Sequence, residues 1–494
     1  MWDVVLAASV TPNTYNIVQC TGVPTLALVL RVKGQVNVKA LGALGDGVTD
    51  DIAVMHYACA NYDDVLFPLV DTNYIHSTTF IPLDRNDQKI TFEEGAELKH
   101  TGTGVGVQLG RTDNSARYNC KVINIRAIGN ANTTDNIVCR ALSHSYLETP
   151  NARDCTGSSL RILWCIELLV NAFNTSLNEG AFNVQPTYGL RISEIAVGQF
   201  SVGCTFLNPT IEGTSSDGIF IENGSDNNFI GGTTEGNGSG ATIAAGCRRN
   251  KFISVWMEAN NLFDVFDAGV ANEFDNCYLS TNAPSQPNVQ ANGQGLQLKG
   301  GFCRVIQLEV AGKDTRLDNV GFSDNASLGI KGTGSRQVRG CYEVDTNGDI
   351  TGVLPDEISI AGTFSPLLEG ASVAGSNTYN TNAGVYRRIG DVVTFSLDIH
   401  VANKDAGMTG NAIVTGLPFQ AQALGMTQAL AVSQHSLITY PGVQTTLIAE
   451  VTDASTSISL ICVASAGVVA GAFLNSTGIV NGSRLKISGS YIIQ

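Results

Sequence analysis

Charge is scarce in this sequence. Asp, Glu, Lys and Arg make up 15% of it, against roughly a quarter in an average soluble domain. Basic residues are the scarcer kind, 29 Lys and Arg against 44 Asp and Glu, for a formal net charge of −15. That balance argues against a nucleic-acid partner, which needs a basic surface to displace phosphate counterions. It leaves an acidic glycan open, because a local Lys/Arg cluster can still grip one. The 12 cysteines contain no C-x-x-C and no regular spacing. Neither a zinc site nor a redox pair is signalled, and no cofactor or metal is called for. Scattered thiols in a chain of this length read as small buried hydrophobes, which suits folding in a reducing cytoplasm. The start, Met1-Trp2-Asp3, lacks the basic residues of a secretion signal. The longest weakly polar stretch, Ile458 to Leu474, is broken by Ser459, Ser465, Gly467 and Gly471. It reads as sheet, and no membrane insertion is expected.

What is present is apolar material and glycine. Hydrophobic residues make up 43% and there are 53 glycines. Such a chain has a core to build despite its low charge. The mix predicts many short strands joined by tight turns.

Residues 1–34 are short and apolar, with Pro12 and Pro24 as breaks, and read as a lead-in or attachment segment. Next comes Ala43-Leu44-Gly45-Asp46-Gly47-Val48-Thr49-Asp50-Asp51, running into Ile52 to Ala60. The glycines permit a turn with positive φ. Thr49 or Asp50 is a suitable N-cap, and two aspartates suit the positive end of a helix. A short helix near 49–60 follows. Val65-Leu66-Phe67-Pro68 and Phe92-Glu93-Glu94-Gly95-Ala96 then read as strands between turns. Residues 38–98 resemble the opening of the pectate-lyase-like superfamily found in phage tailspikes. The resemblance implies a right-handed parallel β-helix whose open N-terminal end is capped by the 49–60 helix, with Asp46, Asp50 and Asp51 in structural roles.

A repeat in the middle of the chain needs no family. Phe206, Phe229, Phe252 and Phe274 are separated by 23, 23 and 22 residues. Cys204, Asn227, Asn250 and Asn272 lie two positions before them, and Glu212, Glu235, Glu258 and Ser280 six after. A fixed period of this size marks a solenoid. Two or three short strands per repeat make each one a β-helix coil, stacked about 4.8 Å from the next. Aromatics then fall on aromatics. Stacked asparagines bond along the axis. Residues 65–340, 276 in number, divide by 23 into roughly twelve coils. Asp264 and Asp267, alternating with Phe263 and Phe266, are read as outward strand positions.

From about residue 355 strands alternate with polar turns, as in a sandwich. Tyr386-Arg387-Arg388-Ile389-Gly390 and Gly416-Leu417-Pro418-Phe419 resemble the C-terminal domains of phage tail fibres and spikes. That resemblance implies trimer assembly and, in some members, sugar binding. The expected fold is therefore all-β: a lead-in at 1–34, a β-helix with its capping helix at 35–354, and a C-terminal β-sandwich at 355–494.

The function these features imply is a phage tailspike that binds and depolymerises a bacterial surface polysaccharide, capsule or O-antigen. It would be a homotrimer in the virion tail, made in the host cytoplasm, acting outside the cell, and held to the tail or baseplate through its N-terminal segment. Hydrolysis needs two carboxylates. Glu212, Glu235 and Glu258 fall in one column, so Glu235 and Glu258 are the favoured pair, with Asp217 as a further carboxylate. Trp256 is a candidate for stacking on a sugar and Arg248 for holding an acidic one. A lyase reading on a uronate glycan would use a base beside a cation, and His144, Tyr146 and Arg153 are its candidates. A receptor-binding spike that does not cut, or a purely structural shaft, would have the same fold.

Overall fold

The computed structural model describes residues 1–176, 182–280, 287–303, 306–308, 314–323, 330–332, 336–344, 350–353, 357–389, 391–423, 425, 427–441, 444–452, 454–464 and 471–493. The chain divides into two compact units. The first holds residues 1–332 and 339–355, the second 333–338 and 356–494.

In the first unit, residues 1–34 form an antiparallel sheet of three strands, with Leu26–Leu30 between Trp2–Leu6 and Ile17–Gln19. The helix follows at Ile52–Asn61 and buries Met55, Ala58 and Cys59. Its start differs in detail from the expected cap. Asp51 holds the N-cap position but turns its carboxylate back to the N–H groups of Leu44 and Gly45, at 2.7 and 3.0 Å. Asp50 accepts from the Ile52 N–H, and Asp46 from Val48 and Thr49. All three aspartates are engaged in shaping the turn.

The rest of this unit is a right-handed parallel β-helix with three faces. One face runs from Val36–Asn37 to Thr315–Asp318 and carries the phenylalanine repeat inward. We call it the aromatic face. The second, here the glutamate face, is a sheet of thirteen strands among the described residues, from Tyr74–His76 to Ile350–Val353. The third has ten, from Val107–Leu109 to Ile330–Gly332. Neighbouring coils pair in parallel, in register, except for the last strand of the glutamate face, which turns back antiparallel.

The aromatic stack has the expected form. Phe206, Phe229, Phe252 and Phe274 are fully or almost fully buried. Their rings stack at 4.9, 4.5 and 4.5 Å and within 9° of parallel. Burying each contributes roughly 1.5–3 kcal/mol. The asparagines just before them form a ladder: Asn227 donates to the Asn250 side chain at 3.0 Å and Asn250 to that of Asn272 at 3.2 Å. A second ladder, at the corner after the glutamate face, joins Asn237 to Asn260 at 3.3 Å.

These ladders correct one expectation. Asp264 and Asp267 do not point outward; both are fully buried, while Phe263 and Phe266 are half-buried. The reason is hydrogen bonding. The ladder amides carry donors that need acceptors in the dry interior. Asp264 accepts from Asn260 at 2.9 Å and from Asn288 at 2.8 Å, and Asp267 accepts from Asn272 at 2.8 Å.

The repeat also reaches further than the phenylalanines. Asn124, Thr149, Ala172, Asn208, Gly231, Ser254, Asn276, Gly300, Asn319 and Gly340 all have positive φ. They sit one per coil at the bend between the aromatic and glutamate faces. Asn and Gly, the residues that most readily take positive φ, hold seven of these ten positions, and the backbone keeps the period at Thr149, Ala172 and Ser254 as well.

The second unit is an antiparallel sheet that curls over on itself. Its strands Glu357–Phe364, Thr378–Ile389, Val392–Asn403, Ile479–Ile492 and Gln428–Ile438 lie side by side, and Gln428–Ile438 passes the pairing on to Thr446–Val451, Ile458–Val463, Ala412–Thr415 and Leu367–Gly370. Leu397, Ile399, Val414, Leu460 and Ile487 are among the core side chains between the layers. The expected sandwich is thus a curled half-barrel sheet with the same two-layered core. Gly390 and residues 465–470, which entered the sequence reading, lie outside the described residues. All 12 cysteines are free thiols, and all but Cys20 are buried.

Three histidines lie together near the helix. His76 stacks on His100 at 5.0 Å, and His56 stacks on Phe80 at 5.6 Å. Burial pushes His76 down to about 4 and lowers His56 and His100; at His76 the hydrogen bond to the Thr78 carbonyl, and then Asp50, oppose the shift. The unfolded chain therefore binds more protons than the folded one below about pH 6.5. The contribution of these histidines to stability should be full above pH 6.5 and fall as pH drops towards 4, with His76 accounting for roughly 3 kcal/mol of the loss. Denaturant unfolding at graded pH measures this. The loss should be smaller in His76→Asn, which keeps a donor for the Thr78 carbonyl that His76 Nδ1 contacts at 3.0 Å.

Candidate functional site

On a β-helix strand, inward and outward residues alternate. On the glutamate face, Ile211, Thr234, Met257 and Leu279 point in and are buried. Their flanking residues therefore form two outward columns. Pairing aligns Glu212 with Glu235, Glu235 with Glu258, and Glu258 with Ser280. The expected glutamate column exists, one residue per coil. Beside it runs Thr210, Thr233, Trp256, Tyr278 and Phe302, also in register.

The two columns have different chemistry. All three glutamates are partly exposed. Glu212 accepts a 2.7 Å hydrogen bond from the Ser176 hydroxyl. Glu235, in the middle, is held above the usual carboxylate range, first by partial desolvation and then by the charges of Glu258 and Glu212. A carboxyl between two like charges is the one disposed to keep its proton while a neighbour ionises. In the second column Trp256 is 48% exposed and its ring lies 4.3 Å from that of Tyr278, which in turn stacks on Phe302 at 5.2 Å. Trp256 and Glu258 are two residues apart on one strand and face the same way.

Other candidates fall elsewhere. Asp217 begins a strand of the third face, where the Thr242 hydroxyl donates to it at 2.6 Å and that of Ser216 at 3.1 Å. Arg248 lies at the corner before the aromatic face, bridged to Ser225 and Val270. An aromatic-face strand separates it from Trp256 along the chain. The residues of the lyase reading are also spread out. His144 is a positive-φ corner residue paired with Glu167 at 2.9 Å. Tyr146 is on the aromatic face under Lys121, and Arg153 is on the glutamate face beside Asp154. Among the described residues no group of His, Cys, Asp or Glu is placed to hold a metal ion, and no helix is long and apolar enough to cross a membrane.

Sequence reasoning missed Tyr278 and Phe302. The same period that found the glutamates contains them: Trp256 and Tyr278 are 22 residues apart and both lie two before a column residue. It also missed the polar surroundings towards the N-terminal coils. A cleft of about 340 Å³ is lined by Arg126, Thr149, Asn151 and Asn174 among others. Another of about 350 Å³ is lined by Lys99, Asn130, Arg153 and Asn183.

No sequence-family model and no curated protein sequence matches the chain. Solved structures do match. A tailspike of an Acinetobacter phage is 9% identical, with a TM-score of 0.50 over 81% of this chain and 84% of its own. The shared feature is the fold. The Dettilon tailspike protein is 11% identical with a TM-score of 0.42, covering 93% of this chain and 94% of its own. The A-module of an Azotobacter vinelandii mannuronan C-5 epimerase is 16% identical with a TM-score of 0.49, covering 63% of this chain and 95% of its own.

The glutamate column makes a direct prediction. Carbon-13 NMR of the Glu235 carboxyl should show titration above the ordinary glutamate range. Glu258→Gln and Glu212→Gln should each bring it down, because each removes one repelling charge. Titration at the ordinary value in all three proteins would mean that water screens the column completely.

Proposed function

We propose that this protein is a phage tailspike that binds a bacterial surface polysaccharide, capsule or O-antigen, and cuts it by glycosidic hydrolysis on the glutamate face. The observation that carries the reading is the outward column Glu212–Glu235–Glu258 beside the exposed Trp256. Hydrolysis needs one carboxyl that holds its proton and one that is ionised. Glu235 is the candidate acid, being flanked by charge on both sides. Glu258 is its partner, on the same coil as Trp256. Adjacent coils stand about 4.8 Å apart, near the roughly 5–5.5 Å of retaining enzymes. The shared fold with a phage tailspike agrees with the reading. The lyase alternative has less support, since His144, Tyr146 and Arg153 do not converge.

The spike would be a homotrimer joined through residues 355–494. In its favour, Thr378–Ile389 and Gln428–Ile438 are long strands with one fully buried residue each. Val385, Ile389, Val392 and Leu437 are 57, 46, 44 and 63% exposed. Exposed apolar side chains of this kind invite association, and a cyclic trimer closes without further growth. Residues 1–34 would attach to the phage tail or baseplate. There Trp2, Val4 and Leu6 are exposed on one side of an edge strand.

Two experiments test these statements. Incubation with purified bacterial capsular polysaccharides and O-antigens, followed by mass analysis, should release oligosaccharides that have gained water. Glu235→Gln and Glu258→Gln should each lower the rate at least 100-fold. Unsaturated uronate products would replace hydrolysis by elimination, binding without release would leave a receptor-binding spike, and near-full activity in both variants would move the site elsewhere. Light scattering should give a trimer for the full chain, and truncation near residue 350 should abolish it while leaving coil structure. A full-length monomer at micromolar concentration would overturn the trimer.

A further inference from the structure

The outward aromatic column ends abruptly. Phe302, Tyr278 and Trp256 occupy three successive coils, and the next position is Thr233. Trp256 and Tyr278 have centroids 4.3 Å apart with 30° between their planes. Rings this close overlap face to face, at about the spacing of the coils. Their planes therefore lie across the helix axis. One face of Trp256 is covered by Tyr278. The other looks along the axis over Thr233, and the side chain is the most exposed of the stack.

The coil beneath that open face is unusually low. It reads Gly231-Gly232-Thr233-Thr234-Glu235-Gly236. Thr234 points inward and is buried, so Thr233 and Glu235 are the only outward side chains on it. Gly231, Gly232 and Gly236 have φ of +66, +81 and +65°. A Cβ on Gly232 would come within 2.2 Å of the Pro209 carbonyl oxygen, so this bend lies flat on the coil before it. Beyond Gly236 a Cβ would meet nothing nearer than 4.0 Å. The result is a notch one coil high, walled on one side by Trp256, floored by Thr233, bordered at Gly231 by the Asn208 side chain, open among the described residues beyond Gly236, and containing Glu235.

We infer that this notch is a transverse subsite for one pyranose ring, and that the glycan crosses the β-helix instead of running along it. The inference rests on the carbohydrate reading above and deepens it. A ring that sets its C–H face flat against Trp256 lies in the plane of that indole, across the axis. Equatorial glycosidic bonds leave a pyranose close to its mean plane, so a chain linked equatorially leaves past Asn208 and Gly231–Gly232 on one side and over Glu235–Gly236 on the other. Glu235 then meets a bond of the ring that Trp256 holds. The ligand class is a hexopyranose with one face free of axial substituents, which an aromatic ring can cover.

The test is binding of full-length protein carrying Glu235→Gln to an array of purified bacterial capsular polysaccharides and O-antigens. Folding of each variant is checked by circular dichroism. Trp256→Ala should weaken binding at least tenfold. Thr233→Phe should do the same by extending the stack one coil and covering the open face, in a position where an aromatic suits a strand. Arg126→Ala, five coils away in the same column, should bind as the parent does. Intrinsic fluorescence should change on binding through Trp256, one of three tryptophans, and that change should vanish in Trp256→Ala. Undiminished binding in either Trp256→Ala or Thr233→Phe would overturn the notch. An equal loss in Arg126→Ala would overturn the transverse path in favour of an axial one. If the parent binds no polysaccharide on the array, the carbohydrate reading itself fails and the subsite with it.

Discussion

Each coil of the β-helix satisfies its backbone only through the coils on either side. Strand N–H and C=O groups point along the axis, so a coil without neighbours would leave them all exposed. Parallel pairing in register is the constraint on which the remaining features depend. It makes residue i sit on its counterpart one period later, and so turns a one-dimensional repeat into columns. Every column then has to be compatible with itself. Inward columns can stack phenylalanine on phenylalanine, because offset rings at about 4.5 Å pack well.

Polar inward columns meet a harder condition. An asparagine at a corner is tolerated because its amide both donates and accepts, so a run of asparagines satisfies itself except at its ends. Asn272 is such an end, and Asp267 receives its surplus donor; Asp264 likewise accepts from Asn260. Buried carboxylates are costly unless paired, hydrogen-bonded or protonated. Burial pushes the Asp267 carboxyl upward, while the Asn272 amide and the Gly269 N–H oppose that. The polar core is therefore part of the stacking mechanism.

Outward columns carry no such condition, and there like can be placed over like at a cost. Three glutamates in register repel one another, and packing does not require them. Their neighbours in the adjacent column change from threonine to aromatic between Thr233 and Trp256. The break in that column, and not any single residue, creates a surface with a wall, a floor and an acid. A solenoid is suited to such features, because an outward substitution alters one step of the surface without disturbing the pairing beneath.

Much of this was legible in the sequence. The phenylalanine spacings of 23, 23 and 22 residues, with the asparagines 23 and 22 apart and the glutamates 23 and 23, determine coils, columns and the alignment of Glu212, Glu235 and Glu258, because pairing in register preserves sequence distance. The turn residues Asp46, Asp50 and Asp51 likewise announce the helix start, since local hydrogen bonds depend on near neighbours. Other features were decided by tertiary structure. Asp264 and Asp267 alternate with phenylalanines as outward residues would, yet the ladder amides draw them inside. The period continues through Asn124 to Gly340 in backbone angles, marked by Asn or Gly at most coils and by the fold alone at Thr149, Ala172 and Ser254. His144, Tyr146 and Arg153 are close in the chain but fall at a corner and on two different faces, because each bend redirects the strand. Sequence spacing specifies which residues share a column. Only the folded coil decides which side of the wall that column occupies and which columns stand next to it.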